Sequence, residues 1–423
     1  MSIEAVECSN LASSERAIVV DVDTHWEVFG APEDDSPVGL FRDQMASTTK
    51  MLVYAMGGDV FRQLEDHRRP SYADMAGTMK SFMGAEVDHF EEQMAEGTPP
   101  GFDVAARLDW MSRVGIDFAL VHPPIAVLNG MSPNIAHEVF PEHDDYQAAV
   151  HSCNSYMTDR LGPYRDRLSP VTAIDTDDLD WSIAELERTR ASGSRAFWVD
   201  AVCYEGRSPS HPAADRIWKA ATALGMIGIV HTGRAPAFFG DGWADAGWNE
   251  SNGSGATGLL RLNNSRRTEA AERLISSLVF GGAFARNPNF TIVLEELRVG
   301  WLPGLVQRIC DLSSSSAYGA WPYELSPEDC VRRCVRASPL VGIEDEVREP
   351  FAKVPEMLVF SSDFPHSEGN LNPIEIYDDL FAEVDDDTRR RFLGENILQC
   401  FQRMGDPLIT VEPVPHERRS IPS

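Results

Sequence analysis

The sequence is short of positive charge. Its 37 lysines and arginines face 66 aspartates and glutamates, a formal net charge of −29. A chain this acidic is repelled by phosphate backbones and by anionic lipid, which argues against nucleic acid and membrane surfaces as partners. Long apolar runs are missing as well, and none approaches the ~18 residues that a membrane span requires. The segment Met1–Glu7 has neither a basic n-region nor an apolar h-region, so no secretory signal is expected. Cysteine is sparse: seven residues, an odd number, scattered without paired CxxC spacing. Cys330 and Cys334 are four apart but no second pair accompanies them, so buried thiols in a reduced, cytoplasmic protein are expected. There is no internal repeat and no long low-complexity segment.

What is present is an alternation of apolar runs and helical patterns. Of 423 residues 43% are hydrophobic, enough to bury a large core. Strands are expected at Ala17–Asp23, Phe118–His122, Leu168–Ile174, Arg195–Asp200, Met226–His231, Thr291–Glu296, Cys330–Ala337 and Met357–Ser362. Helices are expected at Val104–Val114, Asp144–Leu161, Leu179–Arg190, Ala213–Leu224, Arg267–Phe284, Leu302–Leu312 and Pro373–Arg403. Eight strands alternating with helices is the count of a (β/α)8 TIM barrel, here a single domain over residues 1–404.

Two insertions break the rhythm. Residues 33–100 follow the first strand and carry Met45, Met51, Met56, Met75, Met79, Met83 and Met94. Residues 233–265 follow the fifth strand and carry Phe238, Phe239, Trp243 and Trp248 among glycines and asparagines. In a barrel both would hang over the mouth as a cap and a lid loop, giving an adaptable apolar pocket; packing of an accessory helical cap is the plainer reading of the methionines. Residues 405–423 contain four prolines and read as a tail along the surface or onto a neighbouring subunit.

Acids and histidines gather where strands end. Asp23 and His25 are two apart at the end of the first strand, so their side chains leave the same face. His231 ends the fifth strand, Glu296 the sixth and Asp363 the eighth. Each alone is weak, since a lone buried histidine is usually a satisfied core residue and a strand-end aspartate often caps a helix. Together they converge on a barrel mouth as a metal site. His366 lies three beyond Asp363, placed to act as a general acid or base, or to orient a ligand. Arg298 is a candidate anchor for a substrate carboxylate, with a structural ion pair as the alternative. His122 is better read as core or loop packing. Glu86 and His89 have the Glu-x-x-His spacing of di-iron bundles, which so acidic a chain produces by chance.

At these residues the chain resembles the amidohydrolase superfamily, in the branch that includes aminocarboxymuconate semialdehyde decarboxylase. The markers are Asp21-Val22-Asp23-Thr24-His25-Trp26-Glu27, Val230-His231-Thr232-Gly233, Gly281-Gly282-Ala283-Phe284, Gly300-Trp301-Leu302-Pro303, Ser362-Asp363-Phe364-Pro365-His366 and Asn396-Ile397-Leu398. The resemblance implies a (β/α)8 barrel, with Asp23, His25, His231 and Asp363 at ligand positions. It also implies departures: Glu296 stands where decarboxylases carry histidine, and Asp23 where histidine or glutamate is frequent. No lysine ends the fourth strand, where other members carbamylate one; Phe197, Trp198 and Asp200 stand there.

A shell of three carboxylates and two imidazoles suits Mn²⁺ or Fe²⁺ better than Zn²⁺, and can neutralise two ions. The family's usual reaction is metal-assisted decarboxylation, hydration or hydrolysis, with a single Zn or Mn. The chain is also similar to the superfamily's non-haem di-iron monooxygenation of a diterpenoid intermediate in platensimycin and platencin biosynthesis, which implies two Fe ions and O2. The acid-rich shell, the missing lysine and the apolar insertions incline the reading towards that second chemistry. The expected partners are a small-molecule substrate and a second copy of the chain in a homo-oligomeric dimer.

Overall fold

The computed structural model describes residues 17–26, 101–124, 131, 142–232, 266, 268–315, 317, 319–339, 344–366, 372–406 and 408. The cap at 33–100, the lid loop at 233–265, Glu27, Glu86, His89 and nearly all of the tail lie outside the described residues. The barrel is built from seven parallel strands in sequential order, β1 to β7. They are β1 Val20–His25, β2 Phe118–His122, β3 Leu168–Thr172, β4 Ala196–Trp198, β5 Ile227–His231, β6 Ile292–Glu295 and β7 Val335–Ala337. All are buried along their whole length, as strands covered on both faces must be.

Helices return the chain between strands. They are α1 Val104–Val114, α2 His143–Leu161, α3 Leu179–Ala191, α4 Asp215–Leu224, α5 Glu269–Phe280, α6 Leu302–Ser314, α7 Pro327–Cys334, α8 Glu344–Lys353 and α9 Asn396–Arg403. Asp103 caps α1 and Asp178 caps α3, each accepting from the backbone N–H three residues on. The helix expected over Arg267–Phe284 is broken after Phe280, because Gly282 takes φ +76 and a second short helix, Ala283–Arg286, begins there. The single C-terminal helix expected over Pro373–Arg403 is likewise a series of short turns that ends in α9. Among the described residues no helix is long and apolar enough to cross a membrane.

The seventh expected strand is mostly a helix. Ser326 accepts from the Asp329 amide, Pro327 occupies the first turn, and acids open and arginines close the segment. These start and stop signals outweigh the apolar run, whose Cys330, Val331 and Cys334 form one buried helical face. The eighth expected strand has no continuous ladder, yet it closes the barrel. Val359 N–H donates to Ala337 O at 3.1 Å on the β7 side, and Val22 N–H donates to Phe360 O at 3.1 Å on the β1 side. Further on, His25 N–H donates to Phe364 O at 2.7 Å and Asp363 N–H to Asp23 O at 2.9 Å. The backbone of 358–364 is therefore stitched between the last strand and the first.

Candidate metal centre

Strand register brings the candidate residues together at the carboxyl ends. In the β1–β2 pairing His25 lies opposite His122, and in the β5–β6 pairing His231 lies opposite Glu295. Asp21 ties β1 to the closing segment, since one carboxylate oxygen accepts from Ser362 N–H at 2.9 Å and from Asp23 N–H at 3.3 Å. Burial pushes that carboxyl up to about 7. Beneath the site Phe364 is clamped, with Trp110 stacked on it at 4.1 Å and the Arg107 guanidinium 5.0 Å from its centroid. Arg107 in turn donates to the carbonyls of His25 and Gly101.

Eight ligand-competent side chains converge: Asp23, His25, His122, His231, Glu295, Glu296, Asp363 and His366. His25 Nε2 is 3.2 Å from Asp23 Oδ1, 3.4 Å from Asp363 Oδ1 and 3.8 Å from Glu296 Oε1. His231 Nε2 is 3.3 Å from Glu296 Oε1 and 3.9 Å from Asp23 Oδ1. His366 Nδ1 is 3.1 Å from Asp363 Oδ1 and 3.7 Å from Glu296 Oε1, and its ring stacks on His25 with centroids 3.7 Å apart. His122 Nε2 is 2.8 Å from Glu295 Oε2 and 3.6 Å from Asp23 Oδ1. Two overlapping quartets, Asp23–His25–His231–Glu296 and His25–Glu296–Asp363–His366, each hold potential ligand atoms within 4.8 Å of one another. A trio of Asp23, His122 and Glu295 satisfies the same limit.

The electrostatics of the cluster suit a cation. Burial, then the neighbouring histidines His366, His122 and His231, hold His25 well below the ordinary imidazole range. Burial and the proximity of Glu296 push Asp363 well above the carboxylate range. Glu295 is pushed up in the same way, by burial and then by Asp23 and Glu296. Burial works against ionised Glu296, but His231, His366 and His25 outweigh it and hold its carboxyl low. Neither ring nitrogen of His25 nor either carboxylate oxygen of Asp363, all buried, makes a geometrically sound hydrogen bond. Buried polar atoms left in this condition are costly, and coordination to a cation satisfies all of them at once. Mixed carboxylate and imidazole donors fit Mn²⁺ or Fe²⁺.

The sequence-derived set Asp23, His25, His231, Glu296 and Asp363 is gathered in one place, and His366 with it. Arg298 is not. It sits at φ +57, half-exposed, with its guanidinium 2.5 Å from Glu346 on α8. His122 and Glu295 belong to the cluster although sequence reading set the first aside and passed over the second. The available signal was their shared position as the last residues of strands.

A family model described as amidohydrolase matches residues 20–403. Among curated proteins none matches the sequence. Solved structures share the fold at low identity. An amidohydrolase from Mycobacterium avium subsp. paratuberculosis is 19% identical, with 75% of each chain covered and a TM-score of 0.55. A 5-carboxyvanillate decarboxylase from Sphingomonas paucimobilis is 16% identical over 92% of this chain and 99% of its own, with a TM-score of 0.57. A dihydroxybenzoic acid decarboxylase from Polaromonas sp. JS666, solved with bound manganese and 2-nitroresorcinol, is 12% identical over 92% and 97%, with a TM-score of 0.54. None of these comparisons carries the narrower likeness to a diterpenoid monooxygenase.

Proposed function

Starting from the premise that this chain belongs to the amidohydrolase family, we propose that it is a metal-dependent barrel enzyme whose site holds two divalent ions. The observation that carries the reading is the pair of overlapping quartets. A single imidazole nitrogen serves one ion, whereas a carboxylate can bridge two, so Glu296 is the shared residue. Asp23 and His231 would hold one ion and Asp363 and His366 the other, with His25 between them. Charge favours the same count. Three ionised carboxylates carry more negative charge than one divalent ion neutralises, and a second ion brings the centre close to balance.

The reaction class proposed is oxygenation of an unactivated carbon. Arg107 donates through one guanidinium nitrogen to the carbonyls of His25 and Gly101, and Arg298 pairs with Glu346. The apolar residues of the two insertions, among them Phe238, Phe239, Trp243 and Trp248, support a bulky, apolar small molecule as the substrate class. Two iron ions would supply O2 activation, in the balance R–H + O2 + two electrons + two protons giving R–OH and water, with an external reductant as electron source. The chain's own residues fix the ions, exclude water by burial and, through His366 at the less buried rim, meet the substrate side.

A second reading is single-manganese decarboxylation of an aromatic carboxylate, R–COOH giving R–H and CO2. It is favoured by the fold neighbours, one of which is a decarboxylase holding manganese. Elemental analysis of protein purified without added metal, followed by turnover with and without O2, separates the two. About two irons per chain and O2-dependent turnover are expected; one manganese with O2-independent CO2 release would establish the second reading instead.

A further inference from the structure

Three residues beside the cluster form a directed chain: Trp198 at the end of β4, His122 at the end of β2 and Glu295 at the end of β6. Trp198 Nε1 is 3.0 Å from His122 Nδ1, and His122 Nε2 is 2.8 Å from Glu295 Oε2. All three are fully buried. An indole N–H can only donate, so the Nδ1 lone pair of His122 is already spent. An imidazolium is excluded by the same contact, because a proton on Nδ1 would oppose the indole proton. The imidazole is thus neutral with its one proton on Nε2, directed at Glu295.

We infer that His122 is a hydrogen-bond donor to Glu295 and not a metal ligand, and that Trp198 is the residue that fixes this role. To ligate, Nε2 would need a lone pair while Nδ1 also used one, which demands an imidazolate. The trio Asp23–His122–Glu295 is therefore a positioning wall and not a third cation site, despite its short distances. This also divides the adjacent acids. Glu295, the last residue of β6, is held by His122, while Glu296 turns at φ +54 towards His25, His231 and His366. The chain Trp198–His122–Glu295 occupies one oxygen of the second acid and ties β2, β4 and β6 together beside the cluster.

The inference rests on the metal centre proposed above, but its test separates the two. In protein labelled with ¹⁵N-histidine, the Nε2 of His122 is expected to remain protonated both metal-free and after zinc loading. In Trp198→Phe the Nδ1 lone pair is released and a mixture of tautomers is expected. Metal titration of folded variants gives the second readout. His122→Gln, whose amide can still donate to Glu295, is expected to keep the wild-type number of ions, while His231→Gln loses one. His122→Leu is expected to weaken metal affinity by about 10–100-fold without changing the stoichiometry, as lost support of a ligand set does. A coordination shift at His122 Nε2 on zinc loading, or loss of an ion in His122→Gln, would overturn the donor role. An unchanged tautomer in Trp198→Phe would overturn the part given to Trp198. If the wild-type protein binds no metal, the proposed function fails while the metal-free spectrum still decides the tautomer.

Discussion

Glu296 and Asp363 both occupy left-handed backbone conformations, at φ +54 each, although neither is glycine. Such a conformation costs on the order of 1–3 kcal/mol and persists where the surroundings impose it, often at functional sites. Here it aims two carboxylates into a cluster already crowded with acids. Asp363→Asn keeps the shape of a carboxyl whose ionisation burial and Glu296 oppose, so it is expected to leave the thermal midpoint of the chelated protein no lower and to lower metal occupancy and activity together. Differential scanning calorimetry with and without chelator measures the first effect. A lower midpoint in chelator would show that the cluster is not held against carboxylate repulsion. Arg298 is a contrasting residue. Its ion pair with Glu346 is half-exposed and of little energetic weight. Arg298→Ala is therefore expected to leave metal content unchanged and kcat/KM within about twofold, on the expectation for surface substitutions; a rise in KM alone would restore it as a substrate anchor.

Between elements, polar side chains fix how helices sit on the barrel. Glu185 on α3 receives hydrogen bonds from Arg188 and from Asn154 on α2, and contacts His151 there. Burial works to raise its carboxyl, but these partners outweigh it and hold it below the ordinary carboxylate value. A lowered folded-state value means that the stabilisation is fully present above the unfolded carboxylate's value and is lost as pH falls through the lowered one. Glu185→Gln is expected to cost about 1–2 kcal/mol at pH 7, discounted for the solvent-facing side of Arg188, with the difference shrinking as pH drops below about 4. Urea unfolding at both pH values checks it; an equal cost at both would remove the charge argument. Close approach of backbone is equally strict. The π-turn Arg391–Glu395 lies against the start of β1, and a Cβ on Gly394 would sit 2.2 Å from the Ile18 carbonyl oxygen. Gly394→Ala is expected to destabilise by about 1–3 kcal/mol, because backbone cannot yield as a flexible side chain does. An unchanged unfolding midpoint would contradict that packing.

At the scale of the molecule, the barrel is closed by a segment that makes no regular ladder. Residues 358–364 carry Asp363 and bond on one side to β7 and on the other to β1. Closure and site assembly thus involve the same segment, and a cation held by Asp23 and Asp363 would tie the first strand to it. Metal is expected to raise the thermal midpoint of the whole barrel in a concentration-dependent way, as for any ligand that binds the folded state alone. Chelation should lower it reversibly, and a midpoint insensitive to both would separate the cluster from barrel stability.

By itself the sequence determined the alternation of strands and helices, the family's barrel and five of the eight clustered donors, because hydrophobic period and strand-end position are local properties. Val104–Val114 and Phe118–His122 could be read to the residue for that reason. It misread 330–334 because a short apolar run fits either a strand or a helix face, and only the cap decides. What tertiary structure alone decided was which strand-end residues meet. Register sets His122 against His25 and Glu295 against His231, and one indole N–H is brought to His122 Nδ1. Those are relations between residues 64 to 97 positions apart, and no local pattern encodes them.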